Sequence, residues 1–222
     1  MSKYRGILQL GNKNHQLIIK TVIAFVVVVF FVMTFVNSTK ATLAQGMLWV
    51  DDAILLRVYS LSSSTLDTYI PIATNVGGVI GVSLMLLVAT GGLLYTRKYH
   101  KALFLNVSVI GALVLNVILK AVFQRVRPDL WDQLIYEPSY SFPSGHAMAS
   151  AALGIAIVVV LWNSRWRWWA LACAILYIIF VGFSRLYLGV HYPTDIVAGW
   201  FVSAIWIAAL GIVFRTKQDM RK

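Results

Sequence analysis

A single cysteine, five prolines and eight acidic residues are all that this chain of 222 residues has of three residue types on which many folds and active sites depend. The lone thiol, Cys173, can form neither an intramolecular disulfide nor a thiolate metal cage, and its place inside an apolar run reads as a small buried hydrophobe. Charged residues are also scarce, 12% of the chain against 59% apolar, which is too little polar surface for an ordinary water-soluble globule. Acidic residues are outnumbered, 8 Asp and Glu facing 19 Lys and Arg, for a formal net charge of +11. The basic residues fall in short clusters between apolar runs, the pattern of loops held against anionic lipid headgroups rather than of a groove for nucleic acid. No nucleic-acid partner is expected, and no obligate protein partner is evident. No cluster of Asp, Glu or Cys is available to hold Mg²⁺ or Zn²⁺, so no metal or other cofactor is expected.

What the chain does have is long apolar runs. Charge-free stretches run Thr21 to Thr39, Thr68 to Thr96, Ala102 to Leu119, Ala147 to Ser164, Trp168 to Ser184 and Ile196 to Phe214. Each approaches or exceeds the roughly 17–25 residues of a transmembrane helix. The first reads as an anchor rather than a cleaved signal, because its apolar run is long and no small-residue cleavage site follows. The expected fold class is therefore all-α, a polytopic membrane protein with six transmembrane helices in one bundle. Residues 1–222 read as a single membrane-embedded domain, with no repeat and no linker.

Orientation follows from the basic residues. Lys3, Arg5, Lys13 and Lys20, then Arg97, Lys98 and Lys101, then Arg165 and Arg167, then Arg215, Lys217, Arg221 and Lys222 all fall on one side. The other side holds Lys40, Arg57, Lys120, Arg125, Arg127 and Arg185 with nearly all the acidic residues. The positive-inside rule puts both termini in the cytoplasm. Trp162, Trp166, Trp168 and Trp169, interleaved with Arg165 and Arg167, read as an aromatic belt at that surface. Between Asn37 and Asp67 an amphipathic helix is expected, with Asp51 or Asp52 near its start, packed over the outer end of the bundle. A lid or lipid-entry element is the sharper alternative for that segment. Gly77 and Gly81, beside Gly78, form a G-x-x-x-G pair that reads as close helix packing.

Three short polar segments interrupt the apolar pattern on the predicted extracytoplasmic side. In the first, Lys120 and Arg127 are seven residues apart, so a continuing helix projects both from one face until Pro128 ends it. Taken alone, a lysine there would simply snorkel to the headgroups. The second is Pro143-Ser144-Gly145-His146, a helix start at which free N–H groups can meet a phosphate oxygen. The third carries Ser184, Arg185, His191 and Asp195. With Pro193 opening the last helix, Asp195 can reach back to His191 and fix its tautomer, which makes the other ring nitrogen a better nucleophile. The bland alternative is a capping aspartate and a water-facing histidine. Together the segments supply three cations, two histidines, a carboxylate and an anion cradle at one membrane face. One histidine can attack phosphorus while the other protonates the leaving oxygen, and Lys120, Arg127 and Arg185 match the charge of a phosphate. Metal-independent phosphoryl transfer through histidine is the chemistry these residues permit.

These segments are similar to the three-part signature of the type 2 phosphatidic acid phosphatase superfamily: K-x6-R-P, P-S-G-H and S-R-x5-H-x3-D, complete and in order between Lys120 and Asp195. The resemblance implies His191 as the nucleophile, Asp195 as its orienting partner and His146 as the acid for the leaving group. It implies phosphate binding by Lys120, Arg127, Ser144, Gly145 and Arg185. It also implies a multi-pass enzyme of the bacterial plasma membrane, with an extracytoplasmic site and a phosphorylated membrane lipid as substrate. The size and span count look most like the phosphatidylglycerophosphatase B type, with phosphatidylglycerophosphate as the favoured substrate. Undecaprenyl diphosphate and phosphatidic acid remain open. A transporter of anionic lipid is the alternative of a different class.

Overall fold

The computed structural model describes residues 48–219. The first expected span, Thr21 to Thr39, lies outside the described residues, as do the basic residues of the N-terminal segment and the last two, Arg221 and Lys222. What is described is helical throughout its regular structure: α1 (Leu48–Tyr59), α2 (Ser64–Ala73), a 3₁₀ turn (Thr74–Gly77), α3 (Val79–Tyr95), α4 (Tyr99–Phe123), α5 (Gly145–Leu161), α6 (Arg167–Tyr187) and α7 (Pro193–Asp219).

By length and composition, α4, α6 and α7 can each cross a membrane, and α2 with α3 counts as a fourth, broken span. The expected continuous helix from Thr68 to Thr96 is thus corrected to two helices bent by 45°. Pro71 lies inside α2 and removes a helical N–H, and Gly78 has the extended backbone (ψ 176°) that starts α3 afresh. The glycines divide their work differently from the helix-packing expectation. A Cβ on Gly77 would overlap the Val181 side chain of α6, so that glycine does permit close packing. A Cβ on Gly81 would instead run into the backbone of Asn75 and Val76, so that glycine makes room for the break itself.

Helix α5 has 17 residues and packs against α4, α6 and α7. Its face-to-face burial uses Ala147, Ala149, Ala151, Ala152, Gly154 and Ala156, small residues that let neighbouring backbones approach. Polar ties cross the bundle where water cannot serve. Asn106 of α4 donates to Thr90 Oγ1 of α3 at 2.8 Å, Trp206 Nε1 of α7 to the Ser108 carbonyl of α4 at 3.0 Å, and Ser203 Oγ of α7 to the Met148 carbonyl of α5 at 3.0 Å. Lys101 Nζ donates to the Val160 carbonyl at 2.7 Å, capping the C-terminal end of α5 where a cation complements the helix dipole.

The outer surface is apolar. Ile80 and Val88 are each 76% exposed, which suits contact with lipid tails rather than water. Cys173 also faces outward, correcting the expectation that it is buried. An apolar run cannot by itself say which of its faces meets protein and which meets lipid. Trp162, Trp166, Trp168 and Trp169 are exposed around the α5–α6 turn, with Arg165 and Arg167 each 5.2 Å from an indole, as a belt requires. The α4–α5 and α6–α7 connections, which carry the three polar segments, lie at the opposite end from that belt.

Candidate active site

Pro193 opens α7, and Asp195 falls in its first turn. The Asp195 carboxylate is fully buried and fully used. Oδ2 accepts from the Tyr192 amide (2.9 Å) and from Ser141 Oγ, and lies 3.4 Å from His191 Nδ1, while Oδ1 accepts from Arg125 Nη1 at 2.6 Å. His191 is 2% exposed, so it is no water-facing histidine. Its tautomer follows from its neighbours. Nδ1 faces a carboxylate and must carry the proton. Nε2 sits 3.2 Å from Arg127 Nη1, which can only donate, so Nε2 presents a lone pair. Burial pushes the imidazole down to about 4, against the hydrogen bond and charge of Asp195, which raise it. At neutral pH the ring is therefore uncharged.

Lys120 and Arg127 do not share a helix face, which corrects the sequence expectation. Helix α4 ends at Phe123, Gln124 turns the chain through a left-handed conformation (φ 48°), and Arg127 lies in the connection beyond. The two cations converge nevertheless on one strip of backbone. Lys120 Nζ donates to Ser139 Oγ at 3.1 Å and to the Tyr140 carbonyl. Arg127 Nε donates to the Ser139 carbonyl at 2.8 Å, and Nη1 to the Val190 carbonyl at 2.5 Å. Arg185, buried in the last turn of α6, places Nη2 2.5 Å from Glu137 Oε1 and Nη1 3.4 Å from Thr74 Oγ1. Burial would raise the Glu137 carboxyl, but Arg185 and Arg127 outweigh it and hold the group below the usual carboxylate range. Glu137 thus lies between two guanidinium groups, at 2.5 Å from Arg185 and 3.8 Å from Arg127.

The second segment forms the N-terminus of α5. Ser144 is its N-cap: the side-chain oxygen accepts from the Ala147 amide at 3.4 Å, and its own amide donates to the Asp195 carbonyl at 3.2 Å. The Ser144 N–H is therefore occupied by the fold rather than free, while Gly145 and His146 contribute first-turn amides that have no partner within a helix. Asn116 of α4 fixes this turn by donating to the Pro143 carbonyl at 3.0 Å. A Cβ on Gly145 would come 3.2 Å from Asn116 Oδ1, and one on Gly78 would come 3.1 Å from His146 Nε2. The break between α2 and α3 thus walls the site beside His146.

All the residues expected from the sequence lie at this one end of the bundle. Sequence reasoning missed Arg125 and Ser141, which bond Asp195, Asp51 and Thr194, which bond Arg125, and Glu137, Thr74 and Asn116, which touch Arg185 and the α5 turn. Arg125 could be read only as one more basic residue, and nothing in the spacing links position 51 to position 195.

The profile of the PAP2 superfamily matches residues 101–219 of this chain. An undecaprenyl-diphosphatase of Sulfolobus acidocaldarius is 32% identical over 135 residues, 59% of this chain and 63% of that protein. A phosphatidylglycerophosphatase B of Bacillus subtilis is 30% identical over 155 residues, 68% of this chain and 76% of that one. The crystal structure of a transmembrane PAP2-type phosphatidylglycerolphosphate phosphatase from Bacillus subtilis superposes with a TM-score of 0.71 at 25% identity, covering 84% of this chain and 93% of that one.

Proposed function

This chain belongs to the PAP2 superfamily and is a membrane lipid phosphatase, and from that premise we propose that it hydrolyses its substrate through a phosphohistidine at His191. The observation that carries the reading is the orientation of the buried imidazole, with Nδ1 towards Asp195 and the lone pair of Nε2 turned towards Arg127. Nε2 attacks phosphorus while the bond from phosphorus to the leaving oxygen breaks. His146, which takes up a proton as the phosphate dianion binds beside it, gives that oxygen its proton. Water then delivers a proton to His146, attacks phosphorus, and displaces His191 with release of phosphate. Lys120, Arg127 and Arg185 bind the phosphate oxygens, with the hydroxyl of Ser144 and the amide of Gly145. No step requires a metal. Activity is expected to survive a strong chelator, and a loss restored only by a divalent cation would sink that part of the reading.

The favoured substrate is phosphatidylglycerophosphate, converted to phosphatidylglycerol. The Bacillus relatives named for that reaction support this, and the Sulfolobus relative supports undecaprenyl diphosphate as the second reading. The full arrangement proposed is six spans with both termini in the cytoplasm, and an extracytoplasmic site in a bacterial plasma membrane. Its support is that the candidate residues lie at the bundle end opposite the tryptophan belt. Parallel turnover of phosphatidylglycerophosphate, undecaprenyl diphosphate and phosphatidic acid by detergent-purified protein tests the substrate. Binding without release of phosphate would transfer the protein to the class of lipid transporters.

A further inference from the structure

Helix α1 lies outside the segment matched by the family profile, yet it reaches the candidate active site with one charged side chain. Asp51 is 2% exposed. Its Oδ2 accepts from Arg125 Nη2 at 2.8 Å and from Thr194 Oγ1 at 2.6 Å, and its Oδ1 accepts from the Thr194 amide at 3.0 Å. Arg125 in turn donates from Nη1 to Asp195 Oδ1 at 2.6 Å and to Thr194 Oγ1 at 2.7 Å, with its guanidinium carbon 3.8 Å from the centre of the Tyr192 ring. The guanidinium is therefore shared between two buried carboxylates and stacked on the residue beside His191.

We propose that Arg125, held by Asp51, is a positioning residue that fixes Asp195 for its work on His191. The proposal rests on the phosphohistidine reading above. Its physical basis is both geometric and electrostatic. With Oδ1 clamped by Arg125, the carboxylate of Asp195 cannot rotate, and Oδ2 stays aimed at Nδ1 of His191. A cation alone at that position would also cancel the charge that Asp195 offers the ring. Asp51 prevents this by balancing Arg125. The buried set of Asp51, Arg125 and Asp195 carries one net negative charge, which is matched when His191 becomes cationic on accepting the phosphoryl group. Asp51 and Arg125 make their side-chain contacts with each other, Thr194, Asp195 and the Tyr192 ring rather than with Lys120, Arg127 or Arg185, so their effect falls on kcat rather than on substrate binding.

The test is steady-state turnover of phosphatidylglycerophosphate in detergent micelles by wild type, Arg125→Gln, Arg125→Lys, Asp51→Asn and the double variant Asp51→Asn/Arg125→Gln, with thermal unfolding of each. Arg125→Gln is expected to lower kcat by about tenfold or more with KM within about twofold, the scale seen when an outer hydrogen-bond partner of a functional group is lost. Arg127→Gln, by contrast, should raise KM. Arg125→Lys should recover part of kcat, and the double variant should be no slower than Arg125→Gln, because Asp51 acts through Arg125. Wild-type kcat in Arg125→Gln, or a loss carried by KM alone, overturns the proposal. Should Arg125→Gln fail to fold, the isosteric Asp51→Asn decides, reduced kcat with unchanged KM supporting the proposal and wild-type kcat refuting it. An active His191→Ala protein would overturn the phosphohistidine reading itself, which separates the two failures.

Discussion

Oε1 of Glu137 lies 2.5 Å from Nη2 of Arg185, a guanidinium that is 1% exposed and whose Nε has no hydrogen-bond partner among the described residues. A buried cation with one donor open and a carboxylate on another is already shaped for an oxyanion. If Arg185 and Arg127 hold the phosphate as proposed, the carboxylate of Glu137 competes with the substrate for both. Glu137→Gln keeps the acceptor oxygen and removes the charge. Inhibition by orthovanadate, a mimic of pentacoordinate phosphorus, should then tighten by about tenfold, equivalent to about 1.4 kcal/mol. An unchanged or weaker inhibition constant would show that Glu137 does not compete.

His191→Ala should abolish phosphate release. His146→Ala should cost at least about 10²-fold, the scale of lost general acid catalysis, and the loss should shrink as the leaving group improves. Comparing a lipid phosphate with an aryl phosphate in both variants checks this. A His146 defect that ignores the leaving group would remove His146 from the role of acid.

The pH behaviour of His191 has a definite sign. Burial holds its pKa near 4, so the ring stays neutral and nucleophilic from neutral pH down towards that value, and protonation below it should extinguish attack. The hydrogen bond and charge of Asp195 raise the value, so Asp195→Asn should move the titration to lower pH while slowing turnover. Nitrogen-15 chemical shifts of His191 in detergent would report both. A midpoint at or above the ordinary 6.5 of histidine would mean that water solvates the ring.

The two adjacent glycines at the broken span should respond differently. Gly77→Ala drives a methyl into Val181 and should lower stability by about 1–3 kcal/mol, read as a fall in Tm. Gly78→Ala places its methyl 3.1 Å from His146 Nε2, and should cost up to about 10²-fold in kcat by displacing that ring. Equal effects of both on Tm, with no loss of kcat in Gly78→Ala, would refute this division.

How much of this could be read from the sequence depends on the range of each interaction. His191 and Asp195 are four residues apart at a proline-opened helix start, so their meeting was legible in the spacing, as was a helix start at Pro143-Ser144-Gly145-His146. Arg127 was expected beside Lys120 and lies there for a different reason. The left-handed turn at Gln124 ends the helix four residues before Pro128, and tertiary contacts with Ser139 and Tyr140 bring the two cations together instead. The break at Gly77 and Gly78 hid inside an apolar run because hydropathy carries no record of direction. Asp51 was invisible as part of the site, since only folding brings it to Arg125 and Thr194.

The bend at Gly78 also bears on how this scaffold can diversify. Beside His146 the site is bounded by Gly78, where even a methyl group would come 3.1 Å from the imidazole, so that position offers no side chain through which a new headgroup could be accommodated. The connection between α4 and α5, whose Tyr136, Pro138 and Tyr140 are exposed, offers side chains that can vary instead. Libraries aimed at altered lipid preference should spend their diversity there and leave the glycine wall intact.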